Sequence, residues 1–293
     1  MSYRLRLRTE QELLREPLPR VVQLLSTNTK TGTSINLPVI NCRPTRRCAK
    51  ACYACEGPIT FKHSVRKTLV VDEALRKGEI EGLIWECRML RSVRLNGSGD
   101  MTDEHVDSVL RLAQACPGTL FWGFTRKREI AEAVNGKPSA EAPGDPARRS
   151  DAGEAVNGRA SSTASSTSSE SVSGRSTSAG GRLPNLSLIV TFDATSPDKE
   201  LAGYEGPLAF GPRKPKDPVP DDARIIVVFP EHHSGRTIAN VPLHPKDCPA
   251  TRGHIRRNAC QRCQRCWRPF EALKGIGTGK IGAGKKQAPA VWG

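Results

Sequence analysis

Eight of the ten cysteines in this 293-residue chain fall in two short groups: Cys42, Cys48, Cys52 and Cys55, then Cys248, Cys260, Cys263 and Cys266. The first runs Cys42-Arg-Pro-Thr-Arg-Arg-Cys48-Ala-Lys-Ala-Cys52-Tyr-Ala-Cys55, four thiols within 14 residues. A polar, basic loop of that kind is a poor place for four buried packing cysteines. It suits a single metal centre, since thiolates favour soft acceptors, chiefly zinc and iron–sulfur clusters. No apolar run approaches the roughly 20 residues that span a bilayer. Residues 1–25 mix arginines with acids and prolines and lack the apolar centre of a signal peptide. The chain is therefore expected in the cytoplasm, away from membranes, where cysteine clusters bind metal rather than pair as disulfides. Cys87, in an apolar helical pattern, and Cys116, in a helix-ending Cys-Pro-Gly, read as packing residues.

The rest of the chain shows what carries such a loop. Strand-like and helix-like runs alternate. Ile35 to Ile40 is a short strand candidate weakened by Pro38. Val70 to Arg91 reads as one or two helices broken near Gly78, and Ser92 to Asn96 as a strand. Thr102 or Asp103 caps a helix through Ala115. Leu120 to Phe124 is a strand followed by a helix over about 127–134, and Leu186 to Phe192 and Arg224 to Phe229 are two more apolar strands. This alternation favours a mostly parallel sheet with helical crossovers, buried on its faces. Ligands of such sheets gather at the carboxyl ends of the strands. Here those ends carry Gly97 to Asp100, Thr125-Arg126, Asp193 and Glu231-His232-His233, with the cysteine loop following Ile40. The polar candidates are thus expected on one rim. Adjacent His232 and His233 point in different directions and read as rim residues.

Between the halves, residues 137–183 turn to Ser, Thr, Gly, Ala and charge, with almost nothing to bury, so a disordered insertion is expected there. Ala133-Val-Asn-Gly-Lys137 recurs as Ala155-Val-Asn-Gly-Arg159, which fits a duplicated loop. The organisation reads as residues 1–136 and 184–247 forming one α/β domain around that insertion. Residues 248–293 then form a cysteine-rich metal-binding segment with a flexible Gly- and Lys-rich tail. The net charge of +15 admits nucleic acid as a partner, although the basic residues are spread along the whole chain.

Within the first group, Cys48-x3-Cys52-x2-Cys55 has the spacing of the radical S-adenosylmethionine proteins, except that Ala54, not an aromatic residue, precedes the third cysteine. Further motifs follow in order. Asn28-x-Lys30-Thr-Gly32 precedes the loop, and Arg94-Leu-Asn-Gly-Ser-Gly-Asp100 and Phe121-Trp-x-Phe-Thr-Arg126 come after it; a terminal group ends in Cys266-Trp267. Over roughly 26–135 and 186–268 the chain resembles the phage gene-product-88 family, itself similar to radical S-adenosylmethionine iron–sulfur proteins. That resemblance implies a partial or full (β/α) barrel and a [4Fe–4S] cluster. It further implies bound S-adenosylmethionine and a reductant such as flavodoxin or ferredoxin, with hydrogen abstracted from a substrate the sequence does not specify. The superfamily spacing makes Cys55 the third cluster ligand, whereas the phage-family pattern makes it Cys42; both contain Cys48 and Cys52. Gly97, Gly99 and Asp100 resemble the Gly-Gly-Glu segment that holds the cofactor's amino group, a turn that equally suits an ordinary strand-to-helix connection. In the second group, Cys260-x2-Cys263-x2-Cys266 with Cys248 upstream fits a second iron–sulfur cluster, with zinc as the alternative. The opposing reading is a non-catalytic protein in which two cysteine-metal sites stabilise a basic scaffold for nucleic acid.

Overall fold

A computed structural model describes residues 1–28, 32–136, 183–196, 201–214, 216–230, 232–233, 236–237, 244–248, 263 and 266. Seven strands form one sheet in chain order: β1 (Ser26–Asn28), β2 (Gly32–Ser34), β3 (Ser92–Leu95), β4 (Leu120–Thr125), β5 (Leu186–Phe192), β6 (Leu208–Arg213) and β7 (Ile225–Pro230). β1 and β2 pair antiparallel, and every later neighbour pairs parallel. Because each strand lies beside its predecessor, the order never reverses as it does in doubly wound sheets. The sheet is nevertheless not closed into a barrel: β1 and β7 are its two edges. The full barrel is corrected to an open, mostly parallel sheet. A separate pair, β8 (His232–His233) and β9 (Arg236–Thr237), follows β7.

One face of the sheet is covered by helices. α3 (Lys62–Lys77), α4 (Glu81–Cys87), α5 (Val106–Ala115) and α6 (Arg128–Asn135) contribute Leu75, Leu83, Leu112 and Ile130 to a single core with Val93, Phe121, Leu188 and Phe210. Gly78 ends α3 in the left-handed conformation, at φ 73°, where a side chain would be strained. Thr102 caps the turn that opens α5, and Cys87 and Cys116 are buried in this core, as their sequence context suggested. Among the described residues no helix separates β5 from β6 or β6 from β7; Leu201, Tyr204 and Val219 take the helices' place against the core. The opposite face has a smaller apolar patch of Ile189, Ala209, Ile226 and Val227, against which Phe124, Phe229, Cys248 and Cys266 pack.

Three elements depart from the sequence reading. Ile35 to Ile40 is not a strand, although Ile35 still bonds to β3 through its amide to the Arg94 carbonyl at 2.9 Å. Pro38 brings no N–H, and the chain tightens into a 3₁₀ turn at Val39–Asn41 whose first amides are taken by Glu10. β6, with the sequence Leu-Ala-Phe-Gly-Pro-Arg, does not look like a strand, but Leu208 and Phe210 supply its alternation into the core. α1 (Tyr3–Leu13) comes from the stretch read only as lacking a signal peptide. The Ser-rich insertion lies outside the described residues, apart from Leu183 at its end. No helix among the described residues is long and apolar enough to cross a membrane.

Candidate functional site

The first cysteine loop sits at the carboxyl ends of the parallel strands and is tied down along the rim. Thr45 caps α2 (Arg46–Lys50): its hydroxyl accepts from the Cys48 amide at 3.1 Å and donates to Asp193 Oδ2 at 2.6 Å. Asp193, just past β5, also receives Arg126 at 2.8 Å and the Thr195 amide. Those donors hold its carboxyl below the ordinary range even though burial pushes the other way. Arg47 pairs with Asp217 in the β6–β7 connection. Asn41, beside Cys42, donates to Asp72 Oδ1, and Asp72 in turn pairs with Arg76 and with buried His105 at 3.1 Å. The polar candidates from three strand ends do share one rim, as the alternating pattern implied.

α1 closes the loop from beneath. Its Arg6 and Glu10, at i,i+4 spacing, form an ion pair of 2.8 Å with both side chains fully buried. Glu10 accepts from the Val39 and Ile40 amides at 3.0 and 2.8 Å, just before Cys42. Arg6 donates to the Ile59 carbonyl at 2.7 Å, just after Cys55. One pair of side chains therefore clasps both stems of the loop. Burial raises the Glu10 carboxyl above the ordinary range, with the two amides and Arg6 pulling it back. Tyr3, one turn earlier, donates to the Val39 carbonyl at 3.1 Å.

The thiols differ in what surrounds them. Burial raises Cys42 well above the usual thiol value, reinforced by the fields of Asp100, Cys52 and Cys48. Cys52 is pushed up to about 12 by burial, then by Cys55 and Cys48. The Tyr3 phenol is raised chiefly by burial, with the fields of Cys42, Cys52 and Cys48 adding to it. Cys55 is buried; besides touching Cys52, it lies in the field of Arg6, the N-terminal amine and Glu10. All are free thiols. Among the described residues no three Cys, His, Asp or Glu side chains form a group that could hold a metal ion as they stand. The chemistry of the donor set fits one nonetheless. Neighbouring thiols that raise each other keep their protons, and a cation reverses that balance because it binds the thiolate and releases the proton.

Gly97, Gly99 and Asp100 lie against this loop. The Tyr53 hydroxyl donates to the Gly97 carbonyl. A Cβ on Gly97 would stand 2.2 Å from Asn36 Oδ1, and one on Gly99, whose φ is +68°, 2.2 Å from the Leu37 carbonyl oxygen. Protein packing alone thus requires both glycines. Asp100 is turned inward, accepting from Asn96 Nδ2 at 3.1 Å and from the Met101 and Arg126 amides at 2.9 and 3.1 Å. Burial pushes its carboxyl up to about 6 despite those donors.

In the second group, the Cys248 amide bonds the Val228 carbonyl at 2.8 Å, extending β7 sideways, and Cys248 and Cys266 share one apolar patch. Cys263 is partly buried. Cys260, Glu231 and the side chains of His232 and His233 lie outside the described residues. The sequence reading missed Arg6, Glu10 and Tyr3, and quoted Arg94 only as the start of a motif. Arg94 had a signal: it alternates with Val93 and Leu95, so it faces away from the helices.

Fold and rim together define an open α/β sheet carrying a thiol-rich loop at its strand ends. Over residues 8–142 the chain matches the family model described as gene product 88, the phage-related family that the motifs suggested. That span includes the cysteine loop and β1 to β4 and stops before β5. No curated protein and no solved structure matches the chain.

Proposed function

We propose that this protein holds an iron–sulfur cluster on Cys42, Cys48 and Cys52 and binds S-adenosylmethionine beside it, acting on a separate substrate as radical S-adenosylmethionine proteins do. The observation that carries this reading is the seat of the cysteine loop at the strand ends beside the glycine turn, where the Tyr53 hydroxyl donates to the Gly97 carbonyl; the choice of Cys42 over Cys55 follows the phage-family pattern. Three ligands leave one metal position open, and that opening separates a reactive site from a closed structural one. Cys42, Cys48 and Cys52 would hold the cluster, which would supply the electron that reduces the cofactor's sulfonium. The chain's own part is positioning and exclusion of water. Arg6 and Glu10 fix the stems of the loop, Thr45 and Asp193 fix the turn carrying Cys48, and Tyr53 ties the loop to the Gly97 turn. Gly97 and Gly99 let that turn approach closely, and Asp100 braces it from behind. Cys248, Cys260, Cys263 and Cys266 are proposed to hold a second centre, iron–sulfur or zinc.

The test is anaerobic reconstitution with iron and sulfide of the full chain and of each single Cys→Ala variant of the first group. Iron, sulfide and zinc are then counted, and 5′-deoxyadenosine is assayed after reduction with S-adenosylmethionine. Loss of the first cluster in Cys42→Ala, Cys48→Ala and Cys52→Ala, with retention in Cys55→Ala, is the expected result. Loss in all four variants means a closed site. Retention in Cys42→Ala alone moves the site to the Cys48, Cys52, Cys55 register. A fully loaded, reducible protein that yields no 5′-deoxyadenosine removes the enzymatic part of the reading.

A further inference from the structure

Arg94 stands on β3, with Ser34 and Trp122 as its neighbours across the adjoining strands. Its guanidinium carbon lies 5.9 Å from the centre of the Tyr53 ring, and 5.6 Å from each of the Trp122 and Phe124 rings. Among the described residues its side chain donates no hydrogen bond and forms no ion pair, and its Nε is buried without a partner. The other rim arginines differ: Arg47 and Arg126 are both paired with aspartates. Three aromatic rings interact with the charge through their faces, but they accept nothing from the five N–H groups in the guanidinium plane. A cation kept partly buried without an acid calls for an anion from elsewhere. The place is informative too. Tyr53 belongs to the first cysteine loop, while Phe124 packs in the apolar patch that includes Cys248 and Cys266. Arg94 thus lies between the two cysteine-bearing segments, on the sheet face away from the helices.

We propose that Arg94 is the receptor for an oxyanion, the carboxylate or phosphate of a small-molecule ligand seated on this face. The aromatic rings hold the guanidinium plane in place and leave its fork to bond the anion, a geometry that lysine does not reproduce. This assignment rests on the surroundings of Arg94 and does not depend on which metal, if any, the thiols hold.

The experiment follows the arginine Nε–Hε resonances of the ¹⁵N-labelled full chain. Arg94 is assigned by the signal missing from Arg94→Lys. Inorganic phosphate and malonate are titrated separately, with sodium chloride at matched ionic strength as the blank. The expected result is a saturable shift of the Arg94 resonance with at least one oxyanion; which of the two binds more tightly tells phosphate from carboxylate. Arg94→Lys should bind about tenfold more weakly or worse, the equivalent of one lost charge-assisted hydrogen bond, and Arg94→Met should not bind. Near-UV circular dichroism of the aromatic cluster reports whether each variant keeps its fold. If a variant does not, Arg94 is assigned in the wild-type protein by through-bond correlation of its side chain to its backbone, and the wild-type titration decides alone. An Arg94 resonance that stays still, or drifts as it does in chloride, overturns the proposal, as does undiminished binding by a folded Arg94→Met protein.

Discussion

On the helix side of the sheet, Val93, Phe121, Leu188 and Phe210 meet Leu75, Leu83, Leu112 and Ile130, and contact is mainly apolar, with a few side-chain hydrogen bonds such as Asn135 to Leu188. At the strand ends and on the other face, the same strands present Arg94, Asp193 and the turn of Gly97 to Asp100 to a loop with little apolar surface of its own. The first region is held by area removed from water, which is non-directional and shared among many side chains. The second is held by a few buried polar groups, each with several partners. Spread over many contacts, the loss of one is partial; concentrated in Glu10 or Asp193, it leaves stranded donors. The helix side is built to tolerate change, and the rim is built to fix geometry.

The sharpest way to break this comparison is Glu10→Ala. It leaves Arg6 buried without its acid and frees the Val39 and Ile40 amides, so a loss of about 3–5 kcal/mol is expected in urea unfolding. Faster hydrogen exchange at Val39 and Ile40 should accompany it. A loss no greater than that of a surface pair would mean that α1 is not the clasp. On the helix side, Leu188→Ala should cost about 2–5 kcal/mol through lost burial and the cavity left behind. The amides of the cysteine loop should keep their protection, measured by hydrogen exchange under native conditions. Coupling between Leu188→Ala and Glu10→Ala well beyond about 0.5 kcal/mol would show that the two regions are not independent.

Two aspartates on the rim sharpen it further through pH. Asp100 is raised from 3.8 to about 6. The folded protein therefore binds that proton more tightly than the unfolded chain, and its contribution to stability falls as pH rises from about 4 to about 6. Asp193 is lowered, so its contribution is present above the ordinary carboxylate value and is lost as pH falls below it. Unfolding midpoints of metal-free protein across this range should show the first trend reduced in Asp100→Asn and the second in Asp193→Asn. If both variants keep the wild-type profile, other groups carry the pH dependence. The smallest effect belongs to Arg8→Ala. Arg8 and Glu12 repeat the i,i+4 spacing of Arg6 and Glu10 on the same helix at the same 2.8–2.9 Å, but are 76% and 57% exposed. Solvent screening should keep the change within about 0.5 kcal/mol in the same urea experiment.

Much of the sheet was legible in the chain. β4, β5 and β7 are short runs rich in large apolar residues and β3 alternates Val93 and Leu95 around Arg94; their shortness, β-branched and aromatic content and bounding turns mark them as strands. The break at Gly78 and the cap at Thr102 are chemical signals that act over one turn. β6 was not legible because Gly and Pro mask an alternation that pays off only once Leu208 and Phe210 meet the core. α1 was hidden for a related reason: its burial is polar, and Arg6 and Glu10 look like solvated charges until Val39, Ile40 and Ile59 arrive to pair with them.

By itself the sequence determined where the thiols lie along the chain, the alternation that makes a parallel sheet, and the gathering of polar strand ends on one rim. These follow from composition and period, which are local. Only the tertiary structure decided that Cys52 touches Cys55 and that Glu10 and Arg6 hold the two stems of the cysteine loop. It alone left the sheet open, occupied Asp100 with Asn96 and two amides, and placed Arg94 among three rings. Each of these depends on groups brought together from distant parts of the chain. The charge and hydrogen bonding of a buried group are set by neighbours in space, and sequence spacing does not encode them.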